Sequence, residues 1–306
     1  MNKKILALIA IVSLIAPVAA KAEPQQQPTL AILDTAIDMT VPSIAKNVVY
    51  EACVLEWNTC PNTKSLMEGP GSATLPAPYI SMNGFEHGTQ MASAAITTNP
   101  NIKIVFVRII GNNPNGSRQL AGPQTIINGL NWVIQNKDRL NIQAVSMSQS
   151  HHNLGAAGTD YCPKNAQIQS LLTTLKDQNV GVFFPAGNLR DYQRISWPSC
   201  LAESISVGAT MPTQEVAIYS NYDAKLTDFF ALGTMRLVSA GGSLVNVAGT
   251  SASTQVAASS WVAIKTAKPT LTYQQMIDLL NRTATPTKNS KVSNGKLINL
   301  AGALNG

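Results

Sequence analysis

The chain predicts an α/β fold, a mostly parallel central sheet with helices on both faces. Apolar runs of strand length, among them Leu30-Ala31-Ile32-Leu33 and Ile104-Val105-Phe106-Val107, are continuous and not alternating. That is the pattern of strands buried on both faces. Segments with apolar residues at helical spacing lie between these runs, so strand and helix alternate along the chain. After an N-terminal targeting segment, roughly 280 residues remain, enough for one large domain with a substantial core. No internal repeat or second domain stands out.

Residues 1–22 read as a signal peptide. Lys3 and Lys4 precede an apolar run at 5–16 that is short for a bilayer span, Pro17 ends it, and Ala20-Lys21-Ala22 is a small-x-small cleavage site. Residues 23–306 are then the mature domain, secreted or periplasmic and free of the membrane. Residues 23–29 form a Pro/Gln-rich lead-in, and 30–33 are the first strand. Residues 40–78 carry many Pro, Asn, Thr and Gly residues and read as a surface insertion. Residues 87–97 are small and apolar, suited to a closely packed buried helix. Residues 104–107 form a strand, 111–118 a turn-rich loop, 123–136 a helix and 143–147 a strand. Residues 166–176 are helical, 180–184 and 204–209 are strands, and 254–267 are helical. Residues 273–282 form an amphipathic helix with Tyr273, Met276, Ile277 and Leu280 on one face.

The formal charge of +6 falls to +3 once Lys3, Lys4 and Lys21 are removed. With no dense Lys/Arg run, neither nucleic acid nor anionic lipid is implied as a partner. The four cysteines, Cys53, Cys60, Cys162 and Cys200, favour disulfides in an exported chain. Three pairings are possible. A local Cys53–Cys60 loop with a long Cys162–Cys200 loop is preferred. The C-x₆-C spacing is not a zinc pattern and the chain has only three histidines, so no metal site is expected.

Gly249-Thr250-Ser251-Ala252-Ser253 leads into a small-residue helical run. It places a serine hydroxyl on a strand-to-helix turn, where backbone N–H groups and the helix dipole favour a developing oxyanion. Asp34 ends the first strand, and His87 opens His87-Gly88-Thr89-Gln90-Met91-Ala92. A serine is a poor nucleophile until a base takes its proton. A histidine can do that and then protonate the leaving amine, and an aspartate can hold its tautomer. Singly, each residue has an ordinary explanation as a cap, turn or packed side chain. An α/β-hydrolase reading is disfavoured because no Gly-x-Ser-x-Gly elbow carries the serine.

Taken in order, the segments resemble the subtilisin-like serine peptidases, the subtilases. Leu30-Ala31-Ile32-Leu33-Asp34-Thr35-Ala36-Ile37-Asp38 resembles the family's aspartate strand and 83–92 its histidine helix. Ala144-Val145-Ser146-Met147-Ser148 is similar to the strand lining the substrate cleft, and Phe184-Pro185-Ala186-Gly187-Asn188 to Ala-Ala-Gly-Asn. Trp197-Pro198, Ile205-Ser206-Val207-Gly208-Ala209 and Lys296-Leu297-Ile298-Asn299 continue the match. The resemblance implies a three-layer subtilisin-like fold and an endopeptidase working through an acyl-enzyme. It implies Asp34, His87 and Ser251 as the triad, with the Asn188 amide beside the Ser251 N–H at the oxyanion. It further implies a protein or peptide substrate bound by Ser146, Met147, Ser148, Gln149, Ser150, Ala186 and Gly187, pairing along the strand. No cofactor is implied, a monomer is expected, and Asp38 is left structural.

The chain also departs from the family pattern. Gln255 stands where a proline is expected, which affects helix geometry more than nucleophilicity. Gln90 replaces a second histidine. Gln149-Ser150-His151 replaces Leu-Gly-Gly, so no specificity carries over, and His151-His152 reads as solvated loop. Residues 97–101 offer no carboxylate, so the family's calcium site there is expected to be absent. Few residues separate Ala22 from the first strand, so folding without an attached pro-domain is expected, unaided or assisted in trans. These departures motivate a competing reading, a catalytically weak subtilase-fold protein that binds peptides.

Overall fold

A computed structural model describes residues 27–82, 84–113, 115–151, 161–288, 292 and 295–306. The signal segment, Asn83 and His152 lie outside them. The strands are β1 (Thr29–Asp34), β2 (Val48–Val54), β3 (Leu66–Glu68), β4 (Lys103–Arg108), β5 (Ile142–Met147), β6 (Gly181–Pro185), β7 (Ile205–Thr210), β8 (Phe229–Leu232), β9 (Thr234–Val238), β10 (Leu244–Ala248), β11 (Thr285–Pro286) and β12 (Lys296–Leu297). The helices are α1 (Pro42–Ala45), α2 (Ala77–Ile80), α3 (His87–Thr98), α4 (Pro123–Asn136), α5 (Ala166–Asp177), α6 (Thr250–Ala267), α7 (Tyr273–Thr283) and α8 (Leu300–Asn305).

Ten strands form one sheet in the order β11-β12-β8-β7-β6-β5-β1-β4-β2-β3. Pairing is parallel from β2 through β8 and on to β12, and antiparallel only at the β2–β3 and β11–β12 edges. β1 shows why its residues form a central strand: all six are buried. Leu30 and Ile32 pack with Phe106, α3 and α6 on one face, while Ala31 and Leu33 pack with Val105, α4 and α5 on the other. Period-two alternation thus divides one apolar run between two helical layers.

α3 and α6 form the layer that matters for chemistry. Both are rich in buried small residues, Ala92, Ala94 and Ala95 in α3 and Ala252, Ala257 and Ala258 in α6. Ser259 Oγ donates to the Ala95 carbonyl at 2.8 Å, joining the two helices directly. α7 closes the same layer, and its Thr272–Gln275 capping box holds its N-terminus.

One assignment from the sequence is corrected. Residues 40–78 are not a surface insertion throughout, because β2 lies inside the sheet, parallel to β4, with Ala52, Cys53 and Val54 buried. The Val48-Val49-Tyr50 start of this strand carries β-branched and aromatic side chains that suit a pleated surface. The hairpin β9–β10 forms a separate two-stranded sheet. α6 begins at Thr250, four residues before the helix read from sequence, so Ser251 belongs to its first turn. The cysteines pair as Cys53–Cys60 and Cys162–Cys200, with Cα separations of 5.9 and 5.8 Å.

Candidate active site

The C-terminal ends of β1, β5 and β6 and the N-termini of α3 and α6 meet along one edge of the sheet. In open α/β sheets, that edge is where ligands bind. Asp34 is the last residue of β1 and is fully buried. Its Oδ1 accepts the Thr35 N–H at 2.7 Å and lies 2.7 Å from His87 Nδ1. With Nδ1 donating to the carboxylate, the neutral ring keeps its Nε2 lone pair for a proton. Asp34 Oδ2 is also buried and has no hydrogen-bond partner among the described residues.

His87 opens α3, and its side chain is 22% exposed. Two bonds stitch that helix end to the segment after β1. Gly88 N–H donates to Thr35 Oγ1 at 2.9 Å, and Asp38 N–H donates to Thr89 Oγ1 at 2.9 Å. Gly88 is required for this approach: a Cβ there would stand 2.3 Å from the Ala36 carbonyl oxygen and 2.6 Å from the Phe106 ring. Asp38 ties the hairpin to the same segment, accepting Gly241 N–H at 2.8 Å and both the N–H and hydroxyl of Thr40. Burial alone would raise its carboxyl, but the bonds from Thr40 and Gly241 outweigh burial and hold it below the usual aspartate value.

Ser251 is the second residue of α6, so its N–H has no acceptor within the helix. Asn188 follows β6 and turns its carboxamide oxygen toward the same helix end. Asn188 Oδ1 accepts both Thr250 N–H and Thr250 Oγ1–H at 2.9 Å, and Thr250 Oγ1 accepts Gly187 N–H at 3.2 Å. The Asn188 Nδ2 donor is thereby left facing outward. A methyl group on Gly249 would stand 3.6 Å from Asn188 Nδ2 and 3.8 Å from Ser251 N. The two donors therefore face a common space beside a glycine, which is the arrangement an oxyanion needs.

Ser251 Oγ donates to the Ser148 carbonyl at 3.4 Å, and Ser148 Oγ donates to the Ser251 carbonyl at 3.2 Å. Among the described residues, no hydrogen bond joins Ser251 to His87. Such bonds often tighten only when substrate is bound.

The expected substrate contacts divide. Ser146 and Met147 are fully buried; Ser146 is paired on both sides, to β1 and β6, and Met147 to Leu33 of β1, so neither offers an open side chain. Ala186 is buried as well. Its N–H donates to Val207 and its carbonyl accepts from Ser196. Gly187 donates to Thr250 and accepts from Asn221, and a Cβ there would stand 2.1 Å from Ser196 Oγ. These bonds fix the turn that carries Asn188. Gln149 and Ser150, just beyond the end of β5, are half-buried, and their backbone groups have no partner among the described residues, leaving them open for pairing. His151 is not solvated loop. It pairs with Trp197 through both backbone groups, at 2.7 and 3.1 Å, and its ring packs 5.6 Å from the Trp197 ring. The sequence reading assigned no role to Thr250 or Thr35. Both neighbour an assigned residue, but only tertiary contacts reveal what their hydroxyls do.

The subtilase family model matches residues 25–297. Alkaline elastase YaB of Bacillus sp. (strain YaB) is 26% identical over 243 residues, covering 76% of this chain and 59% of that protein. Subtilisin Savinase of Lederbergia lenta is 24% identical over 243 residues, covering 76% of this chain and 82% of that protein. The chain thus spans under two thirds of the length of several curated relatives it matches. In fold it is similar to a protease of Pseudoalteromonas arctica PAMC 21717, with a TM-score of 0.69 at 19% identity over 92% of this chain and 90% of that one. A cold-adapted subtilisin-like serine proteinase gives a TM-score of 0.64 at 18% identity over 92% and 93%. With a family match running from before β1 to the end of β12, the chain belongs to the subtilase family.

Proposed function

We propose that the chain is an exported serine endopeptidase, with residues 1–22 as its signal peptide and 23–306 as a single peptidase domain. The observation that carries this reading is the 2.7 Å contact between His87 Nδ1 and Asp34 Oδ1, on the same sheet edge as Ser251 and its two outward donors. The basic Lys3-Lys4 pair, the short apolar run and Ala20-Lys21-Ala22 support export. Among the described residues, no helix is long and apolar enough to cross a membrane.

In this reading a peptide pairs in extended form with the open backbone at Gln149 and Ser150. The Ser251 hydroxyl leaves the Ser148 carbonyl and attacks the scissile carbon while His87 Nε2 takes its proton. Asp34 stabilises the imidazolium and does not itself take up the proton. The oxyanion forms against Asn188 Nδ2 and Ser251 N–H. His87 then protonates the leaving amine, and a water deprotonated by His87 releases the acyl group.

One observation favours a second reading, in which the chain binds peptides with little turnover: the Ser251 hydroxyl donates to the Ser148 carbonyl and, among the described residues, makes no hydrogen bond to His87. Intact mass after fluorophosphonate treatment separates the two. A single adduct on the wild type and none on Ser251→Ala is the expected result. No adduct on either protein would leave the binding reading standing.

A further inference from the structure

Gln255 lies four residues beyond Ser251 on α6, hence on the same helix face, and is fully buried. Its carboxamide reaches across to the end of β5. Ser146 Oγ donates to Gln255 Oε1 at 2.8 Å, and Gln255 Nε2 donates to Ser148 Oγ at 2.9 Å. Ser146 and Ser148 are two residues apart and project to the same side of the strand, so one planar amide spans both. Ser148 Oγ accepts from Gln255, which leaves its own proton for the Ser251 carbonyl at 3.2 Å. A continuous polar path therefore runs from β5 through Gln255 and Ser148 to the nucleophile turn. Reversing the amide would make Ser148 the donor to Gln255 and strip the Ser251 carbonyl of that bond. An apolar side chain of equal length would fill the same space. The polar group contributes direction, as satisfied buried networks do.

We propose that Gln255 is a positioning residue for the acyl-transfer site. Through Ser148 it sets the spacing between the cleft strand and the backbone of Ser251. It is sealed from substrate and acts only through these neighbours. The inference rests on the reading of Ser251 as nucleophile.

The test compares wild type, Gln255→Met, Gln255→Glu and Ser146→Ala. It measures kcat and KM on a peptide amide, the rate of fluorophosphonate modification, and thermal midpoints. Gln255→Met keeps the length and removes both bonds. Its kcat and its modification rate should fall roughly 10–100-fold with KM nearly unchanged, the scale of a sub-ångström misplacement of a reacting group. Gln255→Glu retains only acceptors while ionised, so the Ser148 proton turns to it and leaves Ser251. Once protonated it can donate again. The ratio of its kcat to that of wild type should therefore rise as pH falls, with the His87 dependence cancelling in the ratio.

Ser146→Ala leaves the Gln255–Ser148 bond in place and serves if the methionine variant fails to fold. Its kcat should fall by roughly 2–10-fold, as for loss of one orienting hydrogen bond. Lower thermal midpoints with unchanged kcat and a pH-independent ratio would overturn the proposal. An unmodified wild type would overturn the reading of Ser251, and this inference with it. A modified wild type beside unaffected Gln255 and Ser146 variants would overturn this inference alone.

Discussion

The proposed mechanism gives Asn188 two separable jobs, and Asn188→Asp separates them. Its Oδ1 accepts two bonds from Thr250 at 2.9 Å, while Nδ2 is the outward donor. Aspartate keeps the acceptor oxygen and replaces the donor with a second, negatively charged acceptor. On the folding side, the carboxylate receives the Thr250 N–H at a helix N-terminus, where negative charge is stabilising, so the thermal midpoint should hold or rise. Asn188→Ala loses both bonds to Thr250 and should be destabilised by roughly 1–3 kcal/mol in total.

On the catalytic side, losing one oxyanion donor costs about 3–4 kcal/mol in the transition state. That corresponds to about 10²–10³ in kcat, a range established on subtilisin, itself a member of this family. Aspartate adds repulsion. Two full charges about 4 Å apart interact by about 4 kcal/mol at an effective dielectric of 20, and a developing oxyanion carries part of that. The aspartate variant should therefore be the slower enzyme and the more stable protein. The assay is steady-state kcat and KM on one peptide amide, beside thermal midpoints for all three proteins. An aspartate variant within tenfold of wild-type kcat would refute the assignment of Nδ2 to the oxyanion.

Two further outcomes follow from the described contacts. The Asp38 carboxyl is held below its usual value, so its contribution to stability is present above the unfolded value of 3.8 and is lost as pH falls through the lower folded value. The thermal midpoint of wild type should lead that of Asp38→Asn near neutral pH, and the lead should shrink below about pH 4; a constant lead across pH would argue against the charge. The two disulfides close loops of very different length, with sequence separations of 7 and 38. By chain entropy, the Cys162→Ala/Cys200→Ala pair should lose roughly 4 kcal/mol in denaturant unfolding and the Cys53→Ala/Cys60→Ala pair roughly 2. The reverse order would show that local packing, not loop length, sets their contribution.

The parts of this molecule that are readable in sequence are those whose signal is local. β1, β4 and β6 declare themselves because strands buried on both faces are continuous apolar runs. Asp34 and His87 are legible from the motifs around them, and the structure puts them 2.7 Å apart. β2 was obscured because its start alternates in exposure and turn-rich sequence flanks it, although its last four residues are buried. The burial of Ser146 and Met147 is not legible, because nothing local marks where a central strand stops being paired on both sides. Pairing to β6 ends at Ser146 and pairing to β1 at Met147. Gln255 looked like a disturbance of helix geometry. Its hydrogen bonds cross to residues more than a hundred positions away, beyond the reach of any local pattern.

The sheet order also governs when chemistry can begin. β1 is the first strand in the chain yet sits mid-sheet between β4 and β5, and α6 comes only after eight strands of that sheet and the β9–β10 hairpin. Asp34 thus waits for Ser251, which arrives near the end of the chain. Until α6 docks across β5 to β8, the proposed nucleophile is not in place. Joining Asp34 to Ser251 thus needs contacts between residues more than two hundred positions apart, and a topology of such distant contacts folds slowly.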